Sequence, residues 1–189
     1  MPNITWQEPR VIVDLMALNL IAEKNNMTLP GPKTLAIISP WLSDFEIAMR
    51  PGPWFQQLTV GEYDNNVSLS NCLKVFNEAG WRVIIAVLAY GRSPSGLTKV
   101  KENFWVERNL LRKAISLGSE IYLITDLHAK GVITPLAIIT GSTNLTHSGL
   151  YAQFQNANYF PHDHPEYAGN LSHLMNLFQG ITPAGDSEM

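Results

Sequence analysis

One short stretch of the chain gathers the residue types needed for phosphoryl chemistry. It runs from Asp126 to Leu150 and reads DLHAKGVITPLAIITGSTNLTHSGL; His128 and Lys130 stand two apart, and Gly141, Ser142 and Asn144 follow after two apolar segments. Residues two apart on a strand share a face, so an imidazole and an ammonium would lie side by side. Gly141 permits close backbone approach at the end of the neighbouring strand, while Ser142 and Asn144 add a hydroxyl and a carboxamide. The set offers a nucleophile or base, a fixed cation and neutral donors, without a cluster of metal-ligating carboxylates. Such groups suit a phosphodiester. Lys130 and Asn144 can hold non-bridging oxygens and stabilise charge in the transition state, while His128 attacks phosphorus or protonates the leaving oxygen.

Positioning these groups requires a rigid frame, and the rest of the chain reads as one. With 189 residues, 46% of them hydrophobic and 15% charged, it can bury a proper core, and a single domain is expected over residues 1–180 with a frayed tail over 181–189. Pro9 to Lys24 has apolar residues at helical spacing and stops at Asn25-Asn26. Leu35 to Ser39, Arg82 to Ala89 and Glu120 to Thr125 are continuous apolar runs of the kind found in buried strands. Between them, Val67 to Ala79 and Asn103 to Leu117 are helical, with Gly80 and Gly118 as stops. Arg50 to Asn66 and Tyr90 to Thr98 read as loops. Ala129 to Thr134 and Leu136 to Thr140 meet at Pro135 as a tight hairpin, Phe154 to Phe160 is one more strand, and His164 to Phe178 a last helix. The alternation defines an α/β protein. The Pro40-Trp41 turn follows a buried strand, at the sheet edge where open α/β sheets place ligands; a corner packed on the core is the other reading of Trp41.

Charge and cysteine usage narrow the setting. A net charge of −3 argues against a surface that grips nucleic acid everywhere, but Tyr90 to Lys113 carries six basic residues against Glu102 and Glu107, and beyond Phe160 all charged side chains are acidic. A single cysteine, Cys72, excludes an internal disulfide framework and reads as a small buried hydrophobe, so a reducing, cytoplasmic compartment is expected. No signal peptide or membrane span is apparent, because Asp14 and Asn19 interrupt the apolar run from Val11 to Ala22.

The order H-x-K, strand, G-S-x-N resembles the signature of the phospholipase D superfamily, and the Ser39-Pro40-Trp41 turn is also similar to its members. The resemblance is strong over Leu127 to Thr146 and weaker over Leu35 to Phe178. Its compact length and single motif are closest to the bacterial nuclease and restriction-endonuclease branch. The resemblance implies a mixed β-sheet covered by helices on both faces and catalysis without a metal or other cofactor. It implies that His128 forms a phosphohistidine or serves as the acid, that Lys130 and Asn144 hold the phosphate, and that Ser142 bonds an oxygen or steadies the site; Gly141 and Trp41 join Ser142 as substrate-binding candidates.

Two positions depart from the family pattern. Pro135 stands where an Asp follows the Lys by five, and Gln155 where a Glu, eleven residues after the Asn, orients the histidine. A carboxylate stabilises imidazolium far better than an amide does. Asp126 can stand in if its strand runs on to His128; otherwise it caps the turn at Leu127. One H-x-K supplies one histidine, whereas in-line double displacement needs a nucleophile and an acid on opposite sides of phosphorus, so a homodimer joining two copies of His128 is expected. His162-Asp163-His164 reads as a turn into the last helix rather than a metal site, and His147 as a helix-start residue or an auxiliary phosphate contact. The leading function is a DNA nuclease, acting alone or with other subunits of a phage-defence or restriction complex. A module that binds nucleic acid or scaffolds a complex without cutting is the main alternative. A lipid phosphodiesterase would need an interfacial apolar surface that the sequence does not offer.

Overall fold

The continuous apolar runs are strands buried on both faces. In the computed structural model, which describes residues 3–6, 10–48, 66–89, 104–151 and 155–188, the elements in chain order are β1 (Asn3–Trp6), α1 (Arg10–Lys24), β2 (Thr34–Ile38), β3 (Glu46–Ala48), β4 (Asn66–Ser68), α2 (Leu69–Glu78), β5 (Arg82–Leu88), α3 (Phe104–Ser116), β6 (Glu120–Ile124), β7 (Gly131–Ile133), β8 (Ala137–Gly141), α4 (His147–Tyr151), β9 (Gln155–Pro161) and α5 (Tyr167–Met175). Short 3-10 turns follow at Asn176–Phe178 and Asp186–Glu188. The readings of Tyr90 to Thr98 as a loop, and of nearly all of Arg50 to Asn66, fall outside the described residues.

Seven strands form one mixed sheet in the order β1-β9-β8-β7-β2-β5-β6. β2, β5 and β6 are parallel to one another, and the pairings from β2 through β7, β8 and β9 to β1 are antiparallel. Strand periodicity then assigns the core. Leu35 and Ile37 of β2 and Val83, Ile85 and Val87 of β5 belong to the apolar layer that includes α1, α2 and α3. Ala36, Ile38, Ile84 and Ala86 point the other way, into a layer with Tyr122, Phe160 and Leu174 of α5. Each fully buried Val, Leu or Ile of this kind contributes about 1.5–3 kcal/mol relative to exposure. The architecture is therefore the expected α/β mixed sheet with helices on both faces.

Two boundaries differ from the sequence reading, each for a local reason. The helix expected from Val67 starts at Leu69, because Val67 pairs with Ile47 in a small β3–β4 ribbon and the Ser68 hydroxyl caps the helix by accepting from the Asn71 amide at 3.2 Å. At its other end Gly80 has φ +74, and the Gly80 and Trp81 amides close the turn on Asn77 and Phe76. The tail expected to fray is docked instead: the Ala184 amide donates to the Ile121 carbonyl at 2.7 Å, covering the free backbone of the outer strand β6.

Cys72 lies fully inside α2's apolar face, and burial, with the Asp44 carboxylate nearby, pushes its thiol up to about 12. A thiol reagent at pH 8 is therefore expected to leave the native protein untouched and to react once per chain in denaturant; rapid labelling of native protein would contradict the packing. Among the described residues no helix is long and apolar enough to cross a membrane.

Candidate active site

Strand direction brings the predicted residues to one edge of the sheet. β2, β5 and β6 run toward that edge, β7 leaves it, β8 returns to it and β9 leaves again, with Ile38 opposite Gly131, Gly131 opposite Thr140 and Gly141 opposite Ala157. The segment 125–130, the loop 39–43 and the loop 141–147 therefore share one rim.

His128 and Lys130 do not sit on a strand as expected. They lie in the segment before β7, whose ladder begins only at Gly131. The Lys130 carbonyl still accepts from the Gly141 amide at 3.3 Å, which ties this segment to the end of β8. The Lys130 ammonium folds back to donate to the His128 carbonyl at 2.7 Å. The cation thus braces the backbone of the histidine while the imidazole side chain is on the exposed surface. Partial burial, which disfavours the charged form, lowers the Lys130 ammonium from the ordinary lysine value.

The G-S-T-N loop supplies the polar groups. Ser142 is exposed at its tip. The Thr143 hydroxyl and the Asn144 side-chain oxygen are both shut off from solvent and lack a hydrogen-bond partner among the described residues. A half-turn of the Asn144 carboxamide leaves its outline unchanged and presents an N–H donor at the same place. Lys130, Gly131, Thr140, Gly141 and Thr143 line a small cleft backed by apolar side chains. Buried polar groups without a partner are costly for folding alone, so this loop is not shaped for stability only.

Two glycines the sequence reading did not single out shape this rim. A Cβ on Gly131 would lie 2.9 Å from the Ile139 carbonyl oxygen, so only glycine lets β7 start this close to β8. A Cβ on Gly149 would lie 2.3 Å from the Asn144 carbonyl oxygen; α4 curls back over Asn144, its Gly149 amide donating to the Thr146 hydroxyl at 3.0 Å.

The Ser39-Pro40-Trp41 turn is joined to the same loop. Buried Ser39 donates through Oγ to the Trp41 carbonyl at 2.5 Å and accepts from the Leu145 amide at 2.9 Å. Leu42 bridges Leu145 in parallel, Ser43 N donates to the Leu145 carbonyl at 3.0 Å, and the His147 amide donates to the Ser43 hydroxyl at 3.1 Å. From behind, the buried Glu107 carboxylate accepts from the Leu42 amide at 2.9 Å. Pro40 is buried, whereas Trp41 is 42% exposed, which sets aside the reading of Trp41 as a core-packed corner. Ser39→Ala is expected to leave the buried Leu145 amide without its acceptor and to cost about 1–3 kcal/mol in chemical denaturation; an unchanged stability would show that the two loops are not held this way.

The remaining candidates separate by position. Asp126 does not continue a strand into His128: β6 ends at Ile124, and Asp126 has φ +57 in an exposed turn, a left-handed conformation Asp tolerates. Gln155 begins β9 at the site edge, opposite Trp6 of β1. Pro135, where the resemblance expects an Asp, lies in the hairpin turn beyond β7, about 13 Å of extended chain away from Gly131. That departure therefore leaves the rim's own groups in place. His162-Asp163-His164 forms a turn before α5, in which His164 Nδ1 accepts from the Glu166 amide at 3.1 Å.

This mixed sheet, with its polar loops on one edge and helices on both faces, has the fold of solved phospholipase D family members. The chain is similar in structure to Nuc from Salmonella typhimurium, a phospholipase D family member, at 12% identity with a TM-score of 0.58 over 94% of this chain and 91% of that one. It is similar to NucT from Helicobacter pylori at 10% identity, with a TM-score of 0.56 over 96% and 98% of the two chains. TrmBL2, an archaeal chromatin protein with a novel mode of DNA binding, matches at 8% identity and a TM-score of 0.50, over 96% of this chain and 53% of that one. No family model and no curated protein matches the sequence.

Proposed function

We propose that the chain is a metal-independent phosphodiesterase that cleaves DNA through a phosphohistidine on His128, working as a homodimer and serving a restriction or phage-defence assembly. The observation that supports this reading is the single sheet edge that carries exposed His128, partly buried Lys130 and the loop of Ser142, Thr143 and Asn144. An imidazole nitrogen of His128 bonds to phosphorus as the bond to the leaving oxygen breaks, and the partner subunit's His128 gives that oxygen its proton. Water then attacks the phosphohistidine by the reverse course, releasing the second product and free imidazole. Lys130, Asn144 and Ser142 hold the non-bridging oxygens throughout. End-labelled DNA incubated with the protein in excess chelator tests the reading: cleavage by the native chain and none by His128→Ala supports it, and no cleavage by either refutes it. Light scattering at micromolar protein is expected to give the mass of a dimer; a monomer with and without DNA would remove the second histidine from the mechanism.

A second reading is favoured by one position. Gln155, where the family pattern has Glu, removes a carboxylate from the site edge, consistent with a module that binds DNA without cutting it. Tight DNA binding without turnover, unrepaired by Gln155→Glu, would select this reading.

A further inference from the structure

We propose that Trp41 is a stacking platform for a nucleobase next to the scissile phosphate, so that the strand entering the site is unpaired there; this rests on the DNA phosphodiesterase reading above. Among the described residues the exposed large hydrophobic side chains are Leu18, Met27 and Trp41, and of these Trp41 is the one on the site rim. Its exposure is not that of a loose loop. Pro40 fixes φ before it, and the Pro40 carbonyl accepts from the Leu88 amide at 3.3 Å. The Trp41 carbonyl is held by Ser39 Oγ, the Leu42 amide by the buried Glu107 carboxylate, and the Ser43 amide by the Leu145 carbonyl. An indole with two rotatable bonds on a backbone fixed on both sides loses little entropy when a flat partner covers it.

The same bonds tie the backbone of Trp41 to the G-S-T-N loop. Ser39 Oγ accepts from the Leu145 amide and Ser43 N donates to the Leu145 carbonyl, so the turn that carries Trp41 and the loop that carries Asn144 are joined at the residue after Asn144. A nucleic acid places a planar base within one backbone step of each phosphate, and every base has a π-face that stacks on an aromatic ring. In a duplex both faces are already covered by neighbouring bases, so only an unstacked base can use the platform. An acyl chain would instead need a continuous apolar patch. Among the described residues of the three rim segments and Asp44, the exposed side chains other than Trp41 are Asp44, Thr125, Asp126, His128, Ser142 and His147, all polar. An exposed aromatic on a rim that also carries polar groups matches the alternation of base and phosphate.

The test uses the full chain carrying His128→Ala, so that binding is read without turnover, with fluorescein-labelled oligothymidine and a duplex of equal length as probes in anisotropy titrations. Trp41→Leu, which keeps apolar bulk but no π-face, is expected to weaken single-strand binding roughly 5- to 150-fold and duplex binding by less than about twofold. Trp41→Phe is expected to retain most of the single-strand affinity, and melting curves of both variants to match the parent. A single abasic position in the oligonucleotide should reproduce the loss and make it insensitive to Trp41→Leu. Unchanged single-strand binding by Trp41→Leu overturns the proposal, as does an equal loss for single strand and duplex, or loss of binding to anionic phospholipid vesicles in place of DNA. If the Trp41-containing parent binds neither DNA form, the DNA reading itself falls, which separates that failure from failure of the platform.

Discussion

His128→Ala is expected to lower DNA cleavage by at least about 10⁴-fold while moving the unfolding midpoint hardly at all. The size follows from the double role: in a symmetric pair the same substitution removes the nucleophile from one side of phosphorus and the proton donor from the other, and residues acting as a unit lose nearly everything together. The small effect on folding follows from position. His128 is an exposed residue in the segment between β6 and β7, and its backbone carbonyl, which receives the Lys130 ammonium, is untouched by the change. Substitutions at such sites usually change stability by less than about 0.5 kcal/mol. Single-turnover cleavage and thermal melting on the same preparation check both halves. Mixing His128→Ala chains with native chains adds a further readout, since a site needing both histidines loses activity more steeply than the fraction of native chains.

Lys130→Met is expected to reduce cleavage by about 10²- to 10³-fold, through loss of the positive charge that Lys130 brings to the phosphate. Burial holds the Lys130 pKa below its ordinary value, so the ammonium loses its proton at a lower pH than an exposed lysine does. Activity of the native chain should accordingly fall on the alkaline side below about pH 10.4, the usual lysine value, and the Met variant should lack that limb. Stability moves in the opposite direction. Between the lowered folded pKa and the ordinary unfolded one, the unfolded chain binds more protons, so the native chain gains stability relative to Lys130→Met as pH rises through that window. A pH series of rates and melting midpoints for the two proteins tests this. A flat difference across the alkaline range would mean that Lys130 is not desolvated.

The frame of the molecule was legible because its signals are local. Buried strands such as β2 and β5 announce themselves as unbroken aliphatic runs, the helices α1 and α3 by spacing and by the residues that stop them, and the β7–β8 hairpin by Pro135 between two apolar segments. Contacts between distant residues were not legible. Ala129 to Thr134 has the letters of a strand, yet pairing starts only at Gly131, where the approach of the Ile139 carbonyl admits no side chain. The four residues of β1 are a strand because β9 offers them an edge, and the tail is ordered because β6 offers another. The site divides the same way. His128, Lys130, Ser142 and Asn144 could be named from type and spacing. The part played by Ser39 depends on a bond to a residue 106 positions away, and that of Thr143 on being buried without a partner, which no spacing reveals. Asp126 shows the converse: the strand that would have set it beside His128 ends at Ile124, and Asp126 itself is left-handed.

The central claim is a covalent bond between His128 and phosphorus, and it can be observed directly. Protein mixed with internally ³²P-labelled DNA in excess chelator and quenched within one turnover should carry label that survives alkali and denaturing electrophoresis, is released by acid, and maps to the peptide containing His128. Label absent under conditions where the DNA is cut, or equally present in His128→Ala, would contradict the account.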